Sequence, residues 1–219
     1  MSDGSLTLWA VRVGLVVVGL AAWFWTQRLI GARPWPAGGI GDGLHEWTAP
    51  LNRYLNARPA VANGLLIATS AVIDAVGLFL LARAIFGPSF RPFLGLLILF
   101  ALRQACQGLC ALPPPEGMIW RHPGVPALLV TYGTATDLFF SGHTAIAVYG
   151  GVELARLGGP VWPVVGLAVA ALEATTVLVL RAHYTMDVFA AIVAALWAVS
   201  MADALAPGVD RAIATFLGG

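Results

Sequence analysis

Lysine is absent from the 219-residue chain, and all twelve basic positions are arginine. A lysine nucleophile and a lysine phosphate clamp are thereby excluded. Charge of either sign is scarce. Charged residues make up 11% of the chain and hydrophobic residues 59%, where an ordinary soluble domain carries about 25% charge. A soluble domain of this size needs more polar surface, so lipid is expected to solvate most of the protein. The net charge of +1 offers no basic excess for nucleic-acid phosphates, which removes nucleic acid as a partner. There are only two cysteines, Cys106 and Cys110. They lie four apart on a predicted helix, a geometry that rarely suits a disulfide, and they read as small packing residues. No basic stretch precedes the first apolar run, and no small-residue cleavage site follows it. Trp23, Phe24 and Trp25 resemble an interfacial belt, so this run is expected to be a mature transmembrane helix.

What is present is a series of long apolar runs. A bilayer needs about 20 residues per helix, and unpaired strands are too costly in lipid. The expected class is therefore all-α, a single polytopic domain over residues 1–219. Six spans are expected at about 8–28, 60–83, 91–111, 142–157, 161–181 and 185–205. Between the first two, Leu44, Trp47, Leu51 and Leu55 recur at helical spacing, which predicts an interfacial helix over Leu44 to Asn56. Pro50 would kink it or start its second half. Six spans place His45, His122, His143 and His183 on one side, with the long loops. Arginine is balanced between the two sides, so charge alone gives no orientation.

Two histidine segments stand where apolar runs begin. His183 and Asp187 are four apart at the start of the sixth run. On a helix that spacing stacks them on one face. The carboxylate would then accept a hydrogen bond from one ring nitrogen and leave the other free to attack. His143 opens the fourth run, after Ser141 and Gly142. Ser141 suits an N-cap, the helix end favours an anion, and Gly142 would permit close backbone approach. His143 beside a bound phosphate could protonate a leaving oxygen. Arg103 and Arg181 fall on the same side, and the guanidinium fork matches phosphate oxygens. Asp137 could order an arginine or hold a histidine. Asp74 and Glu173, acids within apolar runs, are expected to be structural or to support the site by pairing with Arg103 or Arg181. No two histidines have close ligand spacing, so neither a metal nor a cofactor is expected.

The segments Asp137-Leu138-Phe139-Phe140-Ser141-Gly142-His143-Thr144 and His183-Tyr184-Thr185-Met186-Asp187-Val188 resemble the two signature motifs of sphingomyelin synthases, a branch of the type 2 phosphatidic-acid phosphatase superfamily. Arg103 to Gly117, with Leu112-Pro113 and Pro115-Glu116-Gly117, is similar to a looser third motif. The resemblance departs at Ala135-Thr136, where Cys-Gly is usual, and at Val177, where the phosphatase branch has Arg. It implies that His183 attacks phosphorus to give a phosphohistidine with help from Asp187. It also implies that His143 protonates the departing alkoxide, without a metal, on the periplasmic or exoplasmic face of an inner or plasma membrane. The expected function is thus phospholipid head-group transfer to a lipid acceptor such as ceramide or diacylglycerol. Transfer to water, as in a phosphatase or phospholipase C, is the alternative. A non-enzymatic lipid-binding or transport protein is more distant, since no paired broken spans are evident.

Overall fold

The computed structural model describes residues 3–32, 40–132 and 138–218. Among these the chain forms eight helices and no strand: α1 (Asp3–Gly31), α2 (Gly43–Trp47), α3 (Ala49–Asn56), α4 (Pro59–Phe86), α5 (Arg91–Leu109), α6 (Gly142–Ala155), α7 (Val161–Val179) and α8 (Thr185–Gly218). The starts follow local chemistry. Proline occupies the first turn of α3, α4 and α5, where its missing N–H has no helical partner to lose. The hydroxyl oxygen of Ser141 accepts the Thr144 amide at 3.3 Å and so caps α6.

Five helices (α1, α4, α5, α7 and α8) are long and apolar enough to cross a membrane. The fourth of the six expected spans, α6, is not among them, because it has only 14 residues. At 1.5 Å per residue it extends about 21 Å, short of a hydrocarbon core about 30 Å thick. The physical reason is burial. α6 packs against α4, α5, α7 and α8, so protein rather than lipid surrounds much of it and its length need not match the bilayer. Its closest neighbour is α7. A Cβ on Gly151 would lie 2.8 Å from the Gly166 carbonyl oxygen, and small residues of this kind let two helix backbones approach within a membrane.

The interfacial segment is two helices rather than one. α2 ends at Thr48, and α3 starts with Pro50 in its first turn. α8 runs past the expected end of its span to Gly218, through Pro207. α1 is held to the bundle by stacking of Trp23 on Phe100, with ring centroids 4.4 Å apart. A bond of 2.8 Å from Arg12 Nη1 to the Gly87 carbonyl adds to that attachment. Asp74 and Glu173 serve structure. Asp74 accepts the amides of Leu128 and Leu129 at 2.8 and 2.9 Å, and Glu173 accepts the Thr69 hydroxyl.

Candidate active site

The turn that carries His183 is built by the end of α7. The amide of Ala182 bonds to the Val177 carbonyl at 2.9 Å, and that of Arg181 to the Leu178 carbonyl at 3.0 Å. This is the paired Schellman closure of a helix, which places one residue in the left-handed region and usually recruits glycine there. Here the residue is Arg181, at φ 52°, a conformation that costs a non-glycine residue about 1–2 kcal/mol. Its guanidinium offsets that cost. Nη1 donates to the Glu116 carbonyl at 2.5 Å and Nη2 to the His45 carbonyl at 3.1 Å. Arg181 therefore ties the turn to the long loop and to α2, and it is not among the residues that line the cavity described below.

α8 begins two residues after His183, so His183 and Asp187 are not stacked within one helix. Asp187 Oδ2 instead accepts the Tyr184 amide at 2.8 Å, the back-reaching half of a capping box. It lies 3.6 Å from His183 Nδ1. The direct partner of Nδ1 is the Leu138 carbonyl, at 2.7 Å. A carbonyl can only accept, so Nδ1 carries the proton, and in the neutral ring Nε2 then keeps its lone pair. Asp187 is fully buried, and its Oδ1 has no hydrogen-bond partner. Its charge therefore sits close to the ring without a donor on that oxygen.

The second histidine segment is stitched to the first. The Ser141 amide donates to the Asp187 carbonyl at 3.2 Å. Ser141 itself is fully buried, its hydroxyl bonded to Thr144 Oγ1 at 3.0 Å. His143 packs edge-on to Trp120, with centroids 5.2 Å apart, and its Nε2 is buried with no hydrogen-bond partner. Arg103, buried in α5, donates from Nε to the Phe140 carbonyl at 3.1 Å and from Nη1 to Gln27 Oε1 at 2.8 Å. A Cβ on Gly142 would sit 3.2 Å from Arg103 Nε, so the glycine gives the guanidinium room to lie against the start of α6.

These groups meet in one tight cavity of about 40 Å³, lined by Arg103, Gly142, His143 and His183 and walled by Trp23, Phe100, Trp120 and Phe140. A water needs roughly 10–15 Å³ of such space, so the cavity has room for about three or four waters or a small polar group of similar size. Arg103, Gly142, His143 and His183 thus come together, while Ser141 and Asp187 stand just behind them. Asp137 lies outside the described residues. Among the described residues, no three His, Cys, Asp or Glu side chains converge as a metal ion would require.

Two contributors carried no catalytic signal in the sequence. His45 Nε2 donates to the His183 carbonyl at 2.9 Å, and its ring lies near Tyr184. Asp42 caps two helices at once. Oδ1 accepts the amides of Leu44 and His45 at the start of α2, at 3.0 and 3.1 Å. Oδ2 accepts the Thr185 amide at 2.6 Å, and Oδ1 the Thr185 hydroxyl at 2.6 Å. Partial burial opposes the charged form of Asp42. The bonds from Thr185 and His45 outweigh it and hold the carboxyl below its ordinary value. An aspartate just before a helix is a readable N-cap signal, but its second helix is distant in sequence.

The AtPDCT1/2 family model matches residues 42–204, about three quarters of the chain, and the protein belongs to that family. The resemblance to sphingomyelin synthases and the type 2 phosphatidic-acid phosphatase superfamily is thereby corrected, since the family matched is the phosphatidylcholine:diacylglycerol cholinephosphotransferase-like one. The two histidine segments describe local chemistry only, whereas the match takes in every helix from α2 to most of α8. No curated protein and no solved structure matches the chain. The protein is accordingly a lipid-modifying membrane enzyme of head-group transfer type.

Proposed function

We propose, from membership of the AtPDCT1/2 family and the geometry of the cavity, that this enzyme moves phosphocholine from phosphatidylcholine to diacylglycerol through a phosphohistidine on His183. The observation that carries the mechanism is the fixed tautomer of His183. Its Nδ1–H is committed to the Leu138 carbonyl at 2.7 Å, and the ring lines the same cavity as Arg103 and His143. In the first half-reaction Nε2 attacks phosphorus, and the bond from phosphorus to the diacylglycerol oxygen breaks. His143, protonated when the anionic phosphate lies beside it, gives its Nε2 proton to that oxygen and returns to the neutral ring, and phosphocholine remains on His183 as a phosphoramidate. Positive charge on the attacking ring is stabilised by the Asp187 carboxylate, 3.6 Å away. In the second half-reaction His143 takes the proton of an acceptor hydroxyl. The new alkoxide attacks phosphorus, and the N–P bond breaks.

Arg103 faces the phosphoryl oxygens in this scheme, with its orientation fixed by the Phe140 carbonyl and Gln27. His143 Nε2 has no hydrogen-bond partner within the protein, and a leaving or attacking oxygen supplies one. Such a waiting group is expected of a proton donor, because a donor already satisfied by protein must break a bond before it can act. Apolar walls limit water, which favours a lipid hydroxyl over hydrolysis as the second acceptor.

The test is an exchange assay with purified protein. Phosphatidylcholine labelled in its head group would be mixed with diacylglycerol of distinguishable chain length. Labelled phosphatidylcholine bearing the acceptor's chains is the expected product. Release of free phosphocholine or phosphate without exchange would overturn the transferase reading.

A further inference from the structure

The cavity, at about 40 Å³, is far smaller than a diacylglycerol, so that part of a lipid must lie elsewhere. A groove between α5 and α8 begins beside the cavity. Leu102 and Cys106 form its α5 wall, Phe139 and Phe140 close one end, and Met186, Phe189, Ala190, Val193, Ala194 and Trp197 line it on α8. Phe140 belongs to both linings. On α8 the small, half-buried Ala190 and Ala194, one turn apart, make a furrow. The exposed Phe189, Val193 and Trp197 form its outer ridge. From Met186 to Trp197 the helix rises about 17 Å, close to the depth of one leaflet, about 15 Å. The groove therefore starts beside the reacting end and runs for about the depth of one leaflet along two helices long and apolar enough to cross a membrane.

We infer that this groove seats an acyl chain of the donor phospholipid while its phosphate occupies the histidine cavity. The inference rests on the transferase reading and supplies its lipid site. Three observations favour a chain of the substrate over annular lipid or a second protein helix. The groove shares Phe140 with the cavity, its lining carries no charged side chain, and its length suits one leaflet. The neighbouring apolar groove across α6, α7 and α8, lined by Gly151, Gly166, Ala171 and Leu196, has none of the cavity's residues. The leaving group of the donor and the acceptor are both diacylglycerol in such an exchange. Microscopic reversibility then requires that the same groove serve both half-reactions, so no second acyl site is needed.

Two measurements test this. Ala194→Trp fills the furrow at a distance from the reacting atoms, and Ala171→Trp places the same bulk on the other groove. With long-chain phosphatidylcholine, Ala194→Trp should raise KM about tenfold or more. With dibutyryl phosphatidylcholine, whose chains end before Ala194, it should change kcat/KM little, and Ala171→Trp should leave both donors unchanged. Separately, phosphatidylcholine with a diazirine at the acyl terminus should crosslink to residues 193–197 and be displaced by excess unlabelled lipid. Equal losses on both donors in Ala194→Trp, or crosslinks on the α6–α7 face, would overturn the assignment. Crosslinking at 193–197 in wild type without any exchange activity would support the groove and count against the transferase reading alone.

Discussion

α6 joins two polar regions that treat their charges in opposite ways. At its C-terminal end Glu153 is met by Arg91 at 2.8 Å and by Arg156 at 3.6 Å. The same two arginines hold Asp203 at 3.1 and 2.7 Å. Each charge there has an opposite charge from another helix or turn. At its N-terminal end His143 Nε2 and Asp187 Oδ1 are buried without hydrogen-bond partners, around a cavity large enough for small ligands. An unsatisfied buried polar atom costs about 1–3 kcal/mol. His143 carries this cost at the cavity wall, where a substrate can relieve it, whereas Glu153, whose Oε1 also lacks a hydrogen-bond partner, sits among arginines that fasten α5, α6 and α8 together. Ion pairs at one end fasten helices, and at the other a buried histidine nitrogen without a partner faces a cavity.

This contrast can be broken at either end. The largest effect is expected from His183→Ala, which should lower exchange at least a thousandfold while the protein remains folded. Arg103→Ala should follow at about 10²–10³-fold in kcat; Arg103→Lys should recover little, because a point charge cannot replace the fork. Arg91→Ala should show the reverse pattern. It leaves Glu153 without its nearest partner and should destabilise the protein by about 3 kcal/mol, while kcat per folded molecule stays at the wild-type value. Thermal unfolding and active-site titration on one preparation would separate the two. Undiminished stability in Arg91→Ala together with lost turnover would invert the comparison.

The smallest effect should come from Asp42→Ala, about 1 kcal/mol for each lost helix cap. The sign of its pH dependence follows from the lowered carboxyl value. The charged form is favoured on folding, so its stabilisation is present above the ordinary carboxylate range and lost as pH falls through the lowered value. The gap in melting temperature between wild type and Asp42→Ala should therefore hold from about pH 7 to about pH 5. It should close only in stronger acid. A gap that closes already by pH 5 would show that the charge on Asp42 is not what straps α2 to α8.

The all-helical, membrane-spanning character was legible because apolar run length reports it directly. The Ser141 cap and the proximity of the two histidine segments were legible too, the first from local chemistry and the second from counting sides. The length requirement failed at α6, since a helix enclosed by protein escapes the constraint that run length measures. The expected stacking of His183 on Asp187 failed because α8 begins at Thr185. A two-residue shift in a helix start changes which partner a side chain meets. The Schellman turn at Arg181 was illegible because arginine gives no signal for the left-handed region. His45 was illegible because its partner, a backbone carbonyl 138 positions away, leaves no trace in local pattern. Short motifs also misdirected the family assignment: they describe how two histidines meet a phosphate, which is less than the match over 42–204 describes.

The central claim is covalent catalysis at His183, and the adduct itself is the most direct observable. The protein would be mixed with phosphatidylcholine in the absence of acceptor, quenched in alkali to preserve an acid-labile phosphoramidate, and digested for mass spectrometry. The account predicts a phosphocholine mass on the peptide carrying His183, discharged by added diacylglycerol and absent from His183→Ala. A phosphocholine adduct on another residue, or full exchange activity in His183→Ala, would contradict it.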